Sequence, residues 1–224
     1  MNTTGAPLTD KVALITGGAR RLGAHIARVL HNEGMNLLLH YRTSVTEARE
    51  LQEELNAKRA ESVLLVGSDL LNLAKLDRLV DQATESFGRL DLLVNNASLF
   101  RNTPLLEMEE GEWDRVMAVN LKGPFLMVKA TVDLLTRAGG QIVNLVDLSA
   151  FQPWVDHPHH SVSKAALLQL TRVMARALAP RVRVNAIAPG AVLLPEDYDN
   201  AKQDHSRAQS VLGTLGSPED VVRT

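Results

Sequence analysis

The chain has 224 residues, of which 45% are hydrophobic and 22% charged, values typical of one globular domain rather than of a disordered chain. A formal net charge of −2 and a pI near 6.4 give no overall positive field for binding nucleic acid or a membrane surface. The absence of cysteine excludes disulfides and thiolate catalysis, and with no signal peptide or long apolar run visible we expect a cytoplasmic protein.

Short apolar runs alternate with longer helical patterns, without repeats or a low-complexity linker. In chain order we predict strand Val12–Thr16, helix Leu22–Glu33, strand Asn36–Tyr41, helix Thr46–Lys58, and strands Ser62–Gly67, Leu90–Asn95, Gln141–Val146 and Arg183–Ile187. Apolar strands that alternate with helices are typical of a parallel sheet covered on both faces. We therefore predict one α/β domain over residues 1–224, a Rossmann-type doubly wound fold with its ligands at the carboxyl ends of the strands.

A glycine-rich turn from Thr16 to Gly23 follows the first strand and leads into a helix. Glycines here allow a tight bend and a close backbone approach to a pyrophosphate, while the helix N-terminus offers unpaired N–H groups to phosphate. A merely structural turn is the alternative. The position after the first strand favours dinucleotide binding.

The segment after the second strand, His40 to Ser44, contains no acidic residue. A carboxylate there would bind the adenosine ribose of NAD, whereas basic and hydroxyl groups suit the 2′-phosphate of NADP. Together with Arg21 in the phosphate turn, Arg42 and Ser44 predict NADPH rather than NADH as the cofactor. Asp69, after the third strand, is a candidate for the adenine edge or a simple turn cap.

A long helical pattern carries Asn120, with Pro124 four residues later. Because proline has no N–H, the Asn120 carbonyl loses its helical partner, and we expect a kink there with a carbonyl free to hold an ordered water. A kink tolerated for packing alone is the alternative. Lys164 follows His160 by four residues, so both side chains share one face of a later helix.

The C-terminal region contains a predicted substrate loop over residues 191–216, followed by a helix start. Ser217 supplies an N-cap, Pro218 a first-turn proline, and Glu219 and Asp220 place acids near the positive end of the helix dipole. Too few residues follow for a stable helix. We therefore expect an incomplete helix over residues 217–224, as in a shortened gene.

Four motifs then occur in a fixed order: Asn95-Asn96-Ala97-Ser98, Asn120, Ser163-Lys164-Ala165-Ala166 and Pro189-Gly190. In this order and spacing the sequence resembles the short-chain dehydrogenase/reductase family from Lys11 to Arg223. The resemblance implies that Lys164 holds the nicotinamide ribose and that Asn120 belongs to a proton relay. It also implies homo-oligomers, although the short C-terminus lacks elements that build part of the relatives' tetramer interface. Cofactor contacts are implied at Gly17, Arg20, Arg21, Leu22, His40, Tyr41, Arg42, Thr43, Ser44, Asp69, Leu70, Asn96, Ala97, Ser98, Lys164, Pro189 and Gly190.

Further details resemble the pteridine reductase branch of that family. They are Arg21 in the phosphate turn, Leu39-His40-Tyr41, Phe100, Thr103-Pro104-Leu105, and Asp147 thirteen residues before the catalytic position. The resemblance implies that Phe100 and the nicotinamide sandwich a flat pterin whose edge contacts Ser98 and Arg21, an arrangement that suits such a ring. A core position for Phe100 and a turn cap at Asp147 are the alternatives.

The chain departs from the family at residue 160, where histidine replaces the catalytic tyrosine. Its two tyrosines, Tyr41 and Tyr198, lie elsewhere, and Ser149 is two residues from the required spacing. Beside the Lys164 ammonium we expect His160 to be mostly neutral at pH 7. Its ring is shorter than a phenol, so activity is expected to be weakened.

Three histidines, His157, His159 and His160, lie close together around Pro158. Their packed spacing, with Asp156 as the only nearby acid in sequence, argues against a metal site. No metal is predicted.

The sequence therefore predicts an NADPH-dependent reductase that transfers hydride to a pteridine C=N bond, with Asp147 and His160 delivering the proton to this small-molecule substrate. A reductase of carbonyl compounds such as 3-oxoacyl thioesters is one alternative, against which Phe100 and Asp147 argue. A catalytically silent NADPH-binding protein is the other, and His160 is its main support.

Overall fold

The structure is a computed structural model that describes residues 8–72, 81, 85–194, 198–208 and 210–224. Its strands are β1 Val12–Ile15, β2 Asn36–Tyr41, β3 Val63–Gly67, β4 Leu92–Asn95, β5 Gln141–Leu145 and β6 Arg183–Ile187. All six pair in parallel in the order β3-β2-β1-β4-β5-β6. This is the predicted doubly wound sheet.

The helices of the described residues are α1 Arg21–Asn32, α2 Val45–Lys58, α3 Glu110–Met117, α4 Gly123–Ala138, α5 Pro158–Leu178, α6 Asn200–Ala208 and α7 Pro218–Val222. Short 3₁₀ turns occupy Leu105–Glu107 and Leu148–Ala150. The predicted strand and helix bounds differ from these by one or two residues, as expected where element ends fray. In the described part of the chain, no helix is long and apolar enough to cross a bilayer.

Alternate residues of the strands feed two apolar cores, one on each face of the sheet. Leu14 and Leu38 belong to the core beneath α4 and α5, whereas Ile15, Leu37 and Leu39 belong to the core beneath α1 and α2. Burial on both faces explains why the central strands β1, β2 and β4 are nearly continuous apolar runs, whereas the edge strand β6 exposes Arg183 and Asn185.

The strand order reverses beside β1, which pairs with β2 on one side and with β4 on the other. Ala13 is in register with Leu37 of β2 and with Leu92 of β4. The connections after β1 and β4 consequently diverge at the carboxyl edge and leave a crevice between them. The glycine-rich turn and the Asn95-Asn96 motif lie at this crevice.

The helix that contains Asn120 is disturbed where the sequence predicts. A π turn over Ala118–Lys122 separates α3 from α4, and the Gly123 N–H donates to the Ala118 carbonyl five residues earlier. Pro124 cannot donate to Asn120, so the helix continues through a wider turn. This turn leaves Asn120 buried, with 1% of its surface exposed.

The C-terminal region contains one helix that the sequence does not predict and one short helix that begins where the sequence predicts. The segment 191–216, predicted as a loop, contains α6, a short and polar helix whose sequence lacks an apolar stripe. The start predicted at Ser217 does form a helix, α7, despite its length. The Ser217 N–H and hydroxyl donate to the Asp220 carboxylate at 2.7 and 3.1 Å, and Val221 is buried in the core beneath α1. Capping and tertiary packing stabilise what length alone would not.

Candidate active site

The turn after β1 has the geometry that the glycine pattern predicts. Gly17 has a φ of 61°, in the left-handed region. A Cβ at Gly23 would lie 2.3 Å from the Gly17 carbonyl oxygen, so no larger residue fits there. The turn therefore presents close-packed backbone at the start of α1, the arrangement that accepts a phosphate.

His40 supports this turn from below instead of lining an open site. Its side chain is 2% exposed, and its Nδ1 accepts the Gly17 N–H at 3.3 Å while Nε2 donates to the Ser68 carbonyl at 3.0 Å. Burial lowers the pKa of His40 to about 4, so the ring is neutral at pH 7. Both ring nitrogens of His40 thus contact backbone groups, and its predicted cofactor contact remains a prediction.

Asn96 and Ala97 connect β4 to the same turn. The Asn96 amide donates to the carbonyls of Thr16 and Gly17 at 2.9 and 3.1 Å. The Thr16 hydroxyl in turn accepts the backbone N–H groups of Asn96 and Ala97 at 3.0 and 3.1 Å. These contacts fix the width of the crevice between β1 and β4, and Thr16 is a functional position that the sequence reasoning missed.

The residues predicted for the adenosine end follow β2 and β3. Arg42 and Thr43 are exposed, and Ser44 precedes α2 without using its hydroxyl as a helix cap. The Asp69 carboxylate accepts the Leu71 N–H at 3.0 Å, which is the predicted turn cap, although Asp69 itself is exposed. A basic and hydroxyl-bearing surface thus lies at the end of β2, as the sequence predicts.

Four other predicted cofactor residues border this region. Tyr41 packs its ring against Gly67, where a Cβ would lie 2.9 Å from the phenol oxygen. Arg20 pairs with Glu47 of α2 at 3.4 Å, and Leu70 is buried. Leu22 packs beside the core beneath α1. The cofactor contacts of these four residues remain predictions.

Asp147 and His160, the two predicted proton donors, form a hydrogen-bonded pair. His160 Nε2 lies 2.6 Å from Asp147 Oδ2, and His160 Nδ1 lies 3.0 Å from the Leu99 carbonyl oxygen. Asp147 also accepts the Ser149 N–H at 2.9 Å, so it caps the 3₁₀ turn and binds His160 at once. The Asp147 side chain is 20% exposed, whereas that of His160 is 3% exposed. Asp147 is the member of the pair that reaches the open site.

Both ring nitrogens of His160 lie within hydrogen-bond distance of oxygen atoms, Nδ1 near the Leu99 carbonyl and Nε2 near the Asp147 carboxylate, and the Asn120 amide lies farther from Nδ1, at 3.4 Å. Burial alone would raise the pKa of Asp147, but hydrogen bonds from His160 and Ser149 and the Lys164 charge hold it below its usual value. The sequence reasoning weighed the Lys164 ammonium but overlooked the direct carboxylate contact.

Lys164 lies one helical turn after His160, as predicted. Its ammonium donates to the Leu145 carbonyl at 2.7 Å and is 4% exposed. Burial lowers the pKa of Lys164 to about 8, and the Asp147 charge opposes that shift. A buried ammonium with a lowered pKa therefore lies at the carboxyl end of β5.

Asn120 connects the loop after β4 to α5 through its side chain. Its Oδ1 accepts the Leu99 N–H at 2.7 Å, and its Nδ2 donates to the Leu99 carbonyl and to the Ser163 hydroxyl, each at 3.0 Å. The Ser98 hydroxyl donates to the same Oδ1 at 3.3 Å. The sequence argument concerned the backbone carbonyl, and the side-chain contacts with Leu99 and Ser163 were missed.

A buried amide chain behind the site was also missed. The Asn95 amide donates to Asn144 Oδ1 at 2.8 Å, and the Asn144 amide donates to the Thr171 hydroxyl at 2.8 Å. These hydrogen bonds connect β4, β5 and α5. The sequence signal was an asparagine interrupting each of two apolar strands.

The predicted substrate side is open at Phe100. The ring is 45% exposed, which sets aside a core position. It stacks on His157 with ring centroids 4.1 Å apart and an interplanar angle of 13°, and the His160 ring is perpendicular to it with centroids 4.9 Å apart. Arg21, in the left-handed region at φ 50°, donates to the carbonyls of Leu193 and Leu194 at 2.9 and 3.0 Å. Arg21 thus connects the phosphate turn to the segment after β6.

The last predicted residues lie around this centre. Pro189 and Gly190 follow β6, and Gly190 faces Leu148 of the 3₁₀ turn that Asp147 caps. Wherever the structure describes the chain, no group of three His, Asp or Glu residues could hold a metal ion. The acid beside His159 is Glu112, at 3.4 Å, and that beside His160 is Asp147, not the Asp156 considered from sequence.

Known proteins match this chain over nearly its whole length. The short chain dehydrogenase family matches residues 11–204. Pteridine reductase 1 of Leishmania tarentolae is 36% identical over 253 aligned residues, covering 95% of this chain and 88% of the relative. The 3-oxoacyl-[acyl-carrier-protein] reductase FabG of Staphylococcus epidermidis is 34% identical over 224 residues, covering 96% and 89%. A dehydrogenase/reductase structure from Sinorhizobium meliloti 1021 matches with a TM-score of 0.89 and 31% identity, covering 96% and 86%. The chain therefore belongs to the short chain dehydrogenase family of oxidoreductases.

Proposed function

We propose that this protein is an NADPH-dependent reductase of a pteridine C=N bond. The observation that carries the proposal is the Asp147–His160 pair, which closes at 2.6 Å directly beside the exposed ring of Phe100. A proton source next to an open aromatic face suits the reduction of a flat nitrogen heterocycle. The 36% identity to a protein named pteridine reductase 1 supports the same substrate class.

The cofactor would bind along the crevice between β1 and β4. The tight turn at Gly17 and Gly23, where an added Cβ would crowd neighbouring protein atoms, would let the backbone at the start of α1 approach the pyrophosphate. The exposed Arg42 and the uncapped Ser44 fit a 2′-phosphate and support NADPH. Lys164 would hold the nicotinamide ribose. When bound, the cofactor supplies a hydride to the substrate carbon and leaves as NADP⁺.

The protein must supply the proton that the substrate nitrogen gains. Asp147 is the more exposed member of the pair, so we assign it the contact with substrate, and His160 holds a proton behind it at Nε2. As the hydride reaches the substrate carbon, Asp147 would pass a proton to the substrate nitrogen and so complete the reduced C–N bond, and a proton from solvent would then replace the one that leaves the Asp147–His160 pair. Leu99 and Asn120 fix the His160 ring at its other nitrogen, so the donor stays aimed at Asp147.

The proposal is tested by NADPH oxidation with a substrate panel. Dihydrobiopterin, acetoacetyl-CoA and a buffer control are each mixed with NADPH or NADH, and consumption of the cofactor is followed at a range of enzyme concentrations. We expect turnover with dihydrobiopterin and NADPH. Turnover with acetoacetyl-CoA alone would overturn the pteridine assignment and leave the reductase assignment standing.

Two alternatives have specific observations in their favour. Identities of 34% to 3-oxoacyl-[acyl-carrier-protein] reductases favour a carbonyl substrate. The 3% exposure of His160, with both ring nitrogens engaged, favours a silent NADPH-binding protein. Tight NADPH binding without turnover on either substrate would support the silent protein. Cytoplasmic location and homo-oligomerisation remain predictions from the sequence and the resemblance.

A further inference from the structure

Phe100 presents two ring faces, and one of them is already covered. The His157 imidazole lies parallel to it, with centroids 4.1 Å apart and planes 13° apart. Trp154 meets both rings edge-on, at 6.3 Å from Phe100 and 6.4 Å from His157. Phe100 is nevertheless 45% exposed, and the His160 ring lies perpendicular to it with centroids 4.9 Å apart. Because His157 covers one ring face, we take the opposite face as the one on which a flat ligand would stack.

We propose that His157 is a positioning residue for an aromatic substrate, because it backs the Phe100 ring and holds its open face ready for stacking. This inference rests on the proposed function, in which a pteridine stacks on Phe100. It adds that three rings would stack in the order His157, Phe100 and substrate. The order predicts that the protein favours flat heterocycles over aliphatic carbonyl compounds.

The backbone of His157 is held by two hydrogen bonds. Its N–H donates to the Trp154 carbonyl at 3.1 Å, and its carbonyl accepts the Ser161 N–H at 3.0 Å as α5 begins. Phe100 lies in the irregular segment after β4. Stacking on His157 restrains the Phe100 ring, so less side-chain freedom is lost when substrate binds.

The imidazole of His157 is suited to this role at neutral pH. Burial, followed by the charge of His160, lowers the pKa of His157. The neutral ring that results can stack flat on phenylalanine without carrying a charge into the site. His157 also makes no side-chain cap bond to α5, so replacing it removes no helix cap.

The test compares four variants of the full chain with NADPH present. His157→Ala removes the ring, His157→Leu keeps bulk without a ring, His157→Phe restores a ring, and Val155→Ala is a control at a nearby side chain that is 80% exposed. Calorimetry measures Kd for dihydrobiopterin on the NADP⁺ complex and Kd for NADPH. Steady-state assays measure kcat and KM for dihydrobiopterin and for acetoacetyl-CoA.

We expect His157→Ala and His157→Leu to raise Kd and KM for dihydrobiopterin about three- to tenfold. We expect kcat and the NADPH Kd to stay within twofold, and His157→Phe to restore binding. KM for acetoacetyl-CoA should not move. Unchanged dihydrobiopterin binding in His157→Ala and His157→Leu, or equal losses for both substrates, would overturn this inference alone. Failure of the unmodified protein to bind dihydrobiopterin would overturn it together with the proposed function.

Discussion

The turn after β1 and the start of α5 both bring polar groups to the carboxyl edge of the sheet, but they are held differently. The turn is built by backbone: Gly17, Gly23 and the amide of Asn96 leave little room for variation. The start of α5 is held by side chains that reach across the fold, from His160 to Asp147 and from Asn120 to Ser163. A backbone-built region depends on glycine, whereas a region built by side chains can exchange one donor for another.

This difference explains how histidine can occupy the family's tyrosine position. Its Nε2 finds the Asp147 carboxylate and its Nδ1 the Leu99 carbonyl, so no buried polar atom of His160 lacks a partner. A buried polar group without a partner would be destabilising. Histidine at position 160 therefore leaves no buried polar side-chain atom of its own unpaired, and we expect the exchange to affect proton transfer rather than folding. The predictions that follow perturb each region in turn.

The largest effect is expected for Asp147→Asn in the side-chain region. The amide cannot supply a proton, and a positioned general acid is typically worth about 10²–10⁴-fold in rate. We expect kcat to fall within that range while the NADPH Kd, measured by fluorescence titration, stays near that of the unmodified protein. A rate within threefold of the unmodified protein would remove Asp147 from the proton path.

The next effect probes the backbone region through Gly23→Ala. The added Cβ would lie 2.3 Å from the Gly17 carbonyl oxygen, so the turn must open. We expect NADPH affinity to fall by at least tenfold and stability to fall by about 1–3 kcal/mol, the usual range for overpacking. Gly111→Ala in α3 is the matched control because nothing lies within 4 Å of its added Cβ. Equal NADPH binding in both variants would contradict a backbone-built cradle.

The sequence predicts the backbone region well and the side-chain region only in part. Apolar runs identify every described strand. Gly17 predicts the turn after β1, and Pro124 predicts the disturbed helix at Asn120. Each of these signals is local. The Asp147–His160 contact joins groups thirteen residues apart across a loop, and Ser163 meets Asn120 from another helix. Such pairings depend on how helices pack, which periodicity does not encode; α6 was missed because it has no apolar stripe.

His160→Tyr tests whether an imidazole in place of a phenol at position 160 lowers the activity of the enzyme. A phenol reaches farther than imidazole and would place its hydroxyl nearer the substrate. We expect kcat for dihydrobiopterin to rise by about tenfold, a modest part of what general acids contribute. His160→Phe, which differs only by that hydroxyl, should lower it. A slower His160→Tyr enzyme would show that the Asp147–His160 pair is the better proton source.

We expect the preference for NADPH over NADH to depend on Arg42 and Ser44, which follow β2. We expect NADPH to bind at least tenfold more tightly than NADH, since charge-assisted hydrogen bonds contribute about 1.5–3 kcal/mol each. Alanine at both Arg42 and Ser44 should narrow that gap mainly by weakening NADPH. Fluorescence titration of both cofactors measures it. Equal affinities in the unmodified protein would argue against a 2′-phosphate site.

The smallest effect expected is a change of kcat/KM with pH, caused by titration of Lys164. Its pKa is lowered by burial from 10.5 to about 8, so the ammonium charge beside Asp147 is present below pH 8 and is lost as pH rises through 8. The amine can still donate to Leu145, but Asp147 loses a nearby positive charge. We therefore expect kcat/KM to decline several-fold between pH 7 and pH 9.

The same shift has an opposite consequence for stability. Between pH 8 and 10.5 the unfolded chain holds a proton on this lysine that the folded chain has released, so this group makes unfolding less favourable as pH rises. Lys164→Met should remove the pH dependence of kcat/KM and that of stability, because the methionine side chain is apolar and does not titrate. Rate profiles and urea unfolding at pH 7, 8 and 9 measure them separately. A decline of kcat/KM above pH 8 that persists in Lys164→Met would assign the titration to another group.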